Sequence, residues 1–356
     1  MKSKPIYGDD EWRYVETLLP HDLEAIARET GALVRCRNVP SAVALLRMAL
    51  AYAISDLSLK DVAAWAGSLG IAEITGPGLF YRIREAEAWL QRILALTLEK
   101  ELSGATLPGL RMRIVDATVI NGPGASGVEW RAHLIVDPLT GKFNSVLLTD
   151  CHGGESFRQH PVKAGDLVLG DRIYATARGI YAVRLKEAHV LVRLSPQSIR
   201  ICDGERQILD IGRKEADIPA VGPVEIEVLV PVPPQDYRNG DTPWKLKKAQ
   251  AWIPARLIGG RTRSGEAIWL LTTAPGVDIK PETVLVLYRL RWQIELAFKR
   301  LKSLLHLDTL PSRQGPTAKS WMLARFLAAA LAQELVEPSG ALSPWGYEIR
   351  PTGLYA

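Results

Sequence analysis

Tyr288, Arg291, Glu295 and Lys302 lie within the run LYRLRWQIELAFKRLK, an acid set among bases and an aromatic. At about 100° per residue, Arg291, Glu295 and Lys302 fall at roughly 300°, 340° and 320° from Tyr288, so the four side chains share one face of a helix about 60° wide. Leu287, Ile294, Phe298, Leu301 and Leu305 cluster at roughly 220–280° by the same arithmetic, which makes them the core-facing set beside the polar stripe. A carboxylate held at the rim of a core and flanked by cations is suited to bind a metal ion facing a phosphate backbone. The plainer alternative is a solvated helix face carrying an Arg291–Glu295 pair one turn apart.

Two upstream aspartates strengthen the metal reading. Asp116 sits among Ile114, Val115, Val119 and Ile120 in an apolar strand, where an ionised carboxylate is costly unless something positive neutralises it. Asp171 closes another apolar run. Mg²⁺ takes few carboxylates together with water and phosphate oxygens, so three acids hold a pair of ions only when a nucleic-acid phosphate supplies the remaining ligands. Two ions about 4 Å apart can activate an attacking water or hydroxyl and stabilise the leaving oxygen of an in-line displacement. Taken singly, each aspartate also reads as a turn or capping residue.

These residues need elements that converge them. The spacing predicts helices over Ser41–Leu57, Leu59–Ser68 and Gly78–Leu102, with the second and third resembling a helix-turn-helix that could enter a major groove. From Leu110 the period changes to that of strands: RMRIVDATVI, VEWRAHLIVD and KFNSVLLTD form an expected antiparallel meander, with DLVLGD, a helix over RIYATARGIYAVRLKEA and the strand HVLVRL following. Three antiparallel strands, then strand, helix, strand, is the order of a ribonuclease H-like α/β core. Further β runs, RQILDI, VEIEVLVPV, KKAQAWIPARLI and AIWLLTTA, read as a β-rich insertion ahead of the helix carrying Glu295. The expected fold is therefore α/β: a ribonuclease H-like mixed-sheet core with a β-rich insertion and an all-α N-terminal domain. Its expected segments are 1–105 helical, 106–195 first part of the core, 196–276 insertion, 277–336 helical second part of the core and 337–356 tail.

Composition narrows the class. The 356 residues exceed one typical core, and the apolar runs are interrupted by Arg47 and Arg325 and too short to cross a bilayer. No signal peptide is expected behind Lys2, Lys4 and Asp9. Cys36, Cys151 and Cys202 are widely spaced, against a zinc ribbon or disulfide framework and in keeping with a reducing cytoplasm. Net charge is +5, yet between Asp241 and Lys302 twelve basic residues face five acidic ones, a local footprint suited to a polyanion. NGPGASG lacks the pattern of a phosphate-cradling loop and reads as a turn. Cys151, His152 and His160 are too irregularly spaced for a metal site, and His133 reads as a structural histidine.

The runs RIVDATVI, VDPLTG, GDLVLGDRIYA and YRLRWQIELAFKRLK make the chain resemble an insertion-sequence transposase of the DDE class, in the group marked by Y-x2-R-x3-E-x6-K. The resemblance covers roughly Leu57 to Leu335. It implies that Asp116, Asp171 and Glu295 are the catalytic, metal-binding triad and that Tyr288, Arg291 and Lys302 contact DNA near the cleaved end. Arg291 can grip a phosphate with two hydrogen bonds, Tyr288 either stacks on DNA or anchors in the core, and Trp292, Lys299 and Arg300 are further candidates for DNA contact, with packing the favoured role for Trp292. Also implied are two Mg²⁺ ions per site, with Mn²⁺ as substitute, double-stranded DNA at transposon ends and target, a homodimer in a synaptic complex, no membrane, and a cytoplasmic location on the nucleoid when bound. Rival readings are a metal-dependent nuclease without strand transfer and a DNA-binding remnant without catalysis. Relatives of this group commonly continue beyond the last apolar helix, so an end at Ala356 carries the expectation of altered assembly.

Overall fold

The computed structural model describes residues 9–55, 57–99, 106–107, 109–122, 125, 127–138, 142–195, 198–238, 244–262, 265–289, 291, 310–311 and 315–336. Glu295, Trp292, Lys299, Arg300 and Lys302 lie outside them, as do most of the helix wheel below Arg291 and the tail after 336.

Six helices open the chain: α1 (Asp9–Leu18), α2 (Leu23–Glu29), α3 (Ala42–Ile54), α4 (Leu59–Ser68), α5 (Gly76–Glu85) and α6 (Glu87–Glu99). Three of them, α3, α4 and α5, start on side-chain caps. Ser41 accepts from the Ala44 N–H, Ser58 and Asp61 form a reciprocal capping box, and Thr75 accepts from the Gly78 N–H beside Pro77. The helix expected over Gly78–Leu102 is instead two. The Ala86 N–H bonds Ile83 with the shorter i→i−3 spacing, and Ala86 is fully buried. Neither glycine nor proline marks that break, which is set by packing.

The strands are β1 (Thr106–Leu107), β2 (Leu110–Ile120), β3 (Trp130–Val136), β4 (Phe143–Asp150), β5 (Asp166–Gly170), β6 (His189–Leu194), β7 (Val224–Val232), β8 (Ala251–Arg261) and β9 (Ala267–Thr272). They form one nine-stranded sheet in the order β4-β3-β2-β5-β6-β9-β8-β7, with β1 on β2. Pairing is antiparallel for β2–β3 and β3–β4 and parallel for β2–β5 and β5–β6. That order and those directions are the ribonuclease H-like arrangement. The β-rich segment continues the same sheet through the antiparallel β6–β9 ladder. RQILDI does not become a strand, and only isolated bridges join Cys202 to Ile208 and Leu229. The helix expected over RIYATARGIYAVRLKEA is a short 3₁₀ turn at Arg172–Tyr174 followed by α7 (Ala177–Arg184).

β2 is buried on both faces, and its side chains alternate between two cores. Met112, Ile114 and Ile120 join the helices α2–α6 and the final helix α9 (Gly315–Val336), whereas Val115 joins Val168, Ile180 and Leu257 on the α7 side. α9 packs against α3, α5 and α6, so helices from the two ends of the chain share one core with the sheet. Trp89, fully buried there, donates its Nε1–H to the Leu23 carbonyl at 3.3 Å. A further helix, α8, covers residues 281–289, with residue 291 also helical. Its Val284 and Leu287 enter the first core.

Candidate active site

β2 and β5 run parallel with Ile114 opposite Leu169. Continuing that register by two residues sets Asp116 beside Asp171, just where β5 ends at Gly170. Neighbouring strands lie about 4.8 Å apart, so the two backbones hold these carboxylates close together. By the alternation of the strands both project on the face of the first core, the face that α8 also covers. Gly170 permits the turn that follows. A Cβ there would come 2.9 Å from the Tyr174 Cβ and 3.0 Å from the Phe157 Cζ, so the 3₁₀ turn can fold tightly beneath the strand end only without a side chain.

Each aspartate also serves its local backbone, as the capping reading expects. The Asp116 Oδ1 accepts from the Ala117 N–H at 2.8 Å, and the Asp171 Oδ1 accepts from the Ile173 N–H at 2.8 Å. Neither bond neutralises the charge. Burial pushes the Asp116 carboxyl up to about 7, with Asp171 and Glu155 adding repulsion while the Ala117 N–H and Arg291 oppose it. Such a shift marks an acid cluster short of positive charge.

Glu155 is the member that sequence reasoning missed. It stands in the loop after β4, its own affinity for a proton raised by burial and by Asp171, and it pairs with the Arg131 guanidinium at 3.3 Å. Its run, GGESF, has no strand or helix period, so nothing in the pattern assigned it to the cluster. Arg131 also donates to the Gly153 carbonyl. The buried Tyr174 phenol is pushed well above its ordinary range, by burial first and then by Asp116, Glu155 and Asp171.

From α8, Tyr288 and Arg291 reach the same cluster. Tyr288 packs against the first core, burial pushes its phenol up to about 12 with Asp171 adding to the shift, and the Arg291 guanidinium carbon lies 5.8 Å from its ring centroid. The structure thus brings together Asp116, Asp171, Tyr288 and Arg291, and adds Glu155 and Arg131. Among the described residues no group of three or more His, Cys, Asp or Glu side chains forms a finished cage for a metal ion. Electrostatic influence reaches further than a coordination bond, so the carboxylates form an acidic field without a closed ligand set. That donor chemistry, oxygen-only and under-neutralised, fits a hard divalent cation.

Of the histidines, His160 borders the cluster through Tyr174. His152 is exposed beside Asp150 and 3.4 Å from Cys151, whereas His160 is buried, 3.4 Å from the Tyr174 hydroxyl. His133 is buried with its Nε2 2.8 Å from the Thr149 hydroxyl, but its Nδ1 has no hydrogen-bond partner among the described residues. Elsewhere, α4 and α5 pack together, and Arg84 lies over the exposed Tyr81 ring at 4.9 Å.

Comparison with known proteins matches residues 108–331 to the family described as the transposase DDE domain. The chain is 33% identical to the InsL protein for insertion sequence element IS186A of Escherichia coli (strain K12), over 94% of this chain and 96% of that one. It is also 33% identical to the transposase for insertion sequence element IS421 of Escherichia coli, with the same coverage. A solved piggyBac transposase synaptic complex with hairpin DNA gives a TM-score of 0.43 at 10% identity, covering 87% of this chain and 68% of that chain, a likeness too slight to argue from.

Proposed function

The chain belongs to the transposase DDE-domain family, and from that premise we propose that Asp116 and Asp171, with Glu295 from the segment after α8, form the acidic triad of its active site. The observation that supports this reading is the upward shift of Asp116 to about 7, to which Asp171 contributes, with both aspartates two residues past the last pair of the parallel β2–β5 ladder. The protein is a DNA transposase, an enzyme of phosphodiester cleavage and strand transfer, and the family entails divalent metal.

On our reading the metal is Mg²⁺, two ions per site with Mn²⁺ as substitute, held by Asp116, Asp171 and Glu295. When bound, it supplies charge that stabilises an in-line displacement at phosphorus. The chain's own groups do the positioning. Arg291 is placed to grip a phosphate with its planar donors, and the Tyr288 ring beneath it holds the guanidinium in place. Arg131 anchors Glu155 at the rim of the cluster. Water attacks the phosphodiester at a transposon end and the 3′-oxygen leaves, taking up a proton. The freed 3′-hydroxyl then attacks a target phosphodiester, its own proton passing to solvent while the P–O bond to the target's 3′-oxygen breaks and that oxygen takes up a proton. Both steps are the same displacement, so one triad serves.

The proposal extends to Lys302, Trp292, Lys299 and Arg300 as DNA contacts, to α4 and α5 as a helix-turn-helix, and to the segmentation at 105, 195, 276 and 336. It also includes a homodimer on paired DNA ends and a cytoplasmic location. Among the described residues no helix is long and apolar enough to cross a membrane.

Incubating the protein with Mg²⁺ and duplexes carrying the flanking ends tests the site. Asp116→Asn and Glu295→Gln should abolish cleavage and leave end binding intact; cleavage at the wild-type rate in either would remove that residue from the triad. Supplying pre-cut 3′-hydroxyl ends and finding no joined product would favour the simple nuclease, and a wild type that binds but never cuts would favour the non-catalytic remnant.

A further inference from the structure

A cavity of about 500 Å³ lies away from the acid cluster, where α6, the β4 edge of the sheet and the loop before β5 meet. Its wall includes Arg113, Arg158, Lys163 and Lys186, against the single carboxylate of Asp166. Arg113 precedes Asp116 by three residues on β2, so alternation turns the two side chains to opposite faces of the sheet. None of Asp116, Glu155, Asp171, Tyr288 and Arg291 lines the cavity.

Two features of its wall are unusual. Arg113 is 3% exposed, and its Nη2 has no acceptor among the described residues, although its Nη1 donates to the Asn144 Oδ1 at 2.6 Å. The Asn144 Nδ2 is likewise buried without an acceptor. Donors stranded in this way lose their hydration without recovering a hydrogen bond. Asp137 and Asp166 lie 3.9 Å from the Arg113 guanidinium, too far for good hydrogen bonds. Asp166 is otherwise engaged by Arg111 at 3.1 Å and by the Lys163 N–H at 2.8 Å. Arg158, Lys163 and Lys186 are exposed, and none of the three forms an ion pair among the described residues. The wall therefore sets four cations and unused N–H donors against the one carboxylate of Asp166, whose Oδ1 is also buried without a hydrogen bond among the described residues.

We infer that this cavity binds a phosphate group, with Arg158, Lys163 and Lys186 supplying charge at its mouth and Arg113 and Asn144 supplying fixed donors within. Phosphate matches the set because its oxygens accept from several donors at once and its charge answers the cationic excess. The group comes either from the backbone of a DNA strand carried past the β4 edge or from a free phosphoanion. The inference goes beyond the triad reading and does not depend on it.

The test is run without divalent metal, so the acid cluster takes no part in it. Inorganic pyrophosphate is titrated calorimetrically into the wild type, into the triple variant Arg158→Gln, Lys163→Gln, Lys186→Gln, into the single reversal Lys163→Glu, and into a control, Arg213→Gln with Lys214→Gln, that changes exposed cations elsewhere. Saturable binding is expected in the wild type and the control, weakened at least tenfold in the triple variant and measurably in Lys163→Glu, with circular dichroism unchanged. Duplex DNA binding across a salt series then identifies the source. A slope reduced by about two to three charges in the triple variant assigns the phosphate to the DNA backbone. An unchanged slope with lost pyrophosphate binding assigns it to a free phosphoanion. No binding to the wild type, or equal binding in wild type and triple variant, overturns the inference.

Discussion

Asp116 and Asp171 each follow by two residues the Ile114–Leu169 pair that ends the parallel β2–β5 ladder, and Asp171 lies near enough to raise the Asp116 carboxyl. Burial of Asp116, with repulsion from Asp171 and Glu155 added to it, has a measurable energetic consequence. The Asp116 carboxyl titrates near 7 in the folded chain against an ordinary 3.8, so its ionised form is disfavoured by folding. The resulting loss of stability is absent below about pH 4, grows as pH rises through 7, and is complete above it. Metal-free Asp116→Asn should therefore be more stable than wild type at pH 8, by about 2 kcal/mol after allowing for partial exposure, and equal to it at pH 4. Denaturant titrations at the two pH values check this; equal midpoints at pH 8 would contradict it.

Arg291 opposes the upward shift of Asp116. Arg291→Ala should raise that carboxyl further, so the pH at which Mg²⁺ first stabilises the protein moves upward. Thermal melts with and without Mg²⁺ from pH 6 to 9 would show the midpoint displaced; an unmoved midpoint would detach Arg291 from the cluster.

Glu155 adds a third negative charge beside Asp116 and Asp171. Glu155→Gln should weaken Mg²⁺ binding by about tenfold, the scale expected when a group supporting a metal site is lost. Calorimetric titration measures it directly, with Glu155→Asp as the conservative partner expected to recover part of the affinity. Unaltered affinity in Glu155→Gln would leave the side chain only its ion pair with Arg131.

His133 and His160 face each other with ring centroids 5.9 Å apart, and burial drives their titration down to about 4 and about 3. Both are neutral in the fold and gain protons more readily when unfolded. Their contribution to stability is complete above pH 6.5 and is lost as pH falls from there toward the folded values. His160→Gln should lose melting temperature less steeply than wild type between pH 6.5 and 5. Parallel curves would show that His160 does not set the slope.

Arg256 is 8% exposed and ties three segments together: it pairs with Glu225 on β7 and donates to the carbonyls of Ala274 and Ile279 at 3.2 and 2.9 Å. Those two carbonyls lie on the connection from β9 into α8. Arg256→Ala leaves them and Glu225 without this donor and should destabilise the protein by roughly 3 kcal/mol. It should also slow end cleavage at temperatures where the fold persists, because α8 carries Tyr288 and Arg291. A stable variant with full activity would separate this clamp from the site.

Part of the candidate site was legible in the residues. An aspartate in the middle of an apolar strand, a second at the end of another and the spaced Tyr288–Arg291 pair each carry a local signal, namely charge placed against hydrophobic periodicity. Glu155 carried none, since its place depends on how the loop after β4 returns to Arg131. The division at Ala86 was equally silent, because burial selects it without a breaking residue.

Periodicity and turn chemistry determined the order and type of most elements, from the β2–β4 meander to β6, since each depends on neighbours within a dozen residues. Only the tertiary structure decided that β9 docks on β6, that α9 returns to pack on α3 and α6, and that Arg113 is left with a donor unused beside a basic cavity. Those outcomes rest on contacts between residues remote in sequence. Such contacts form only when both partners are desolvated together, a condition that no local pattern records.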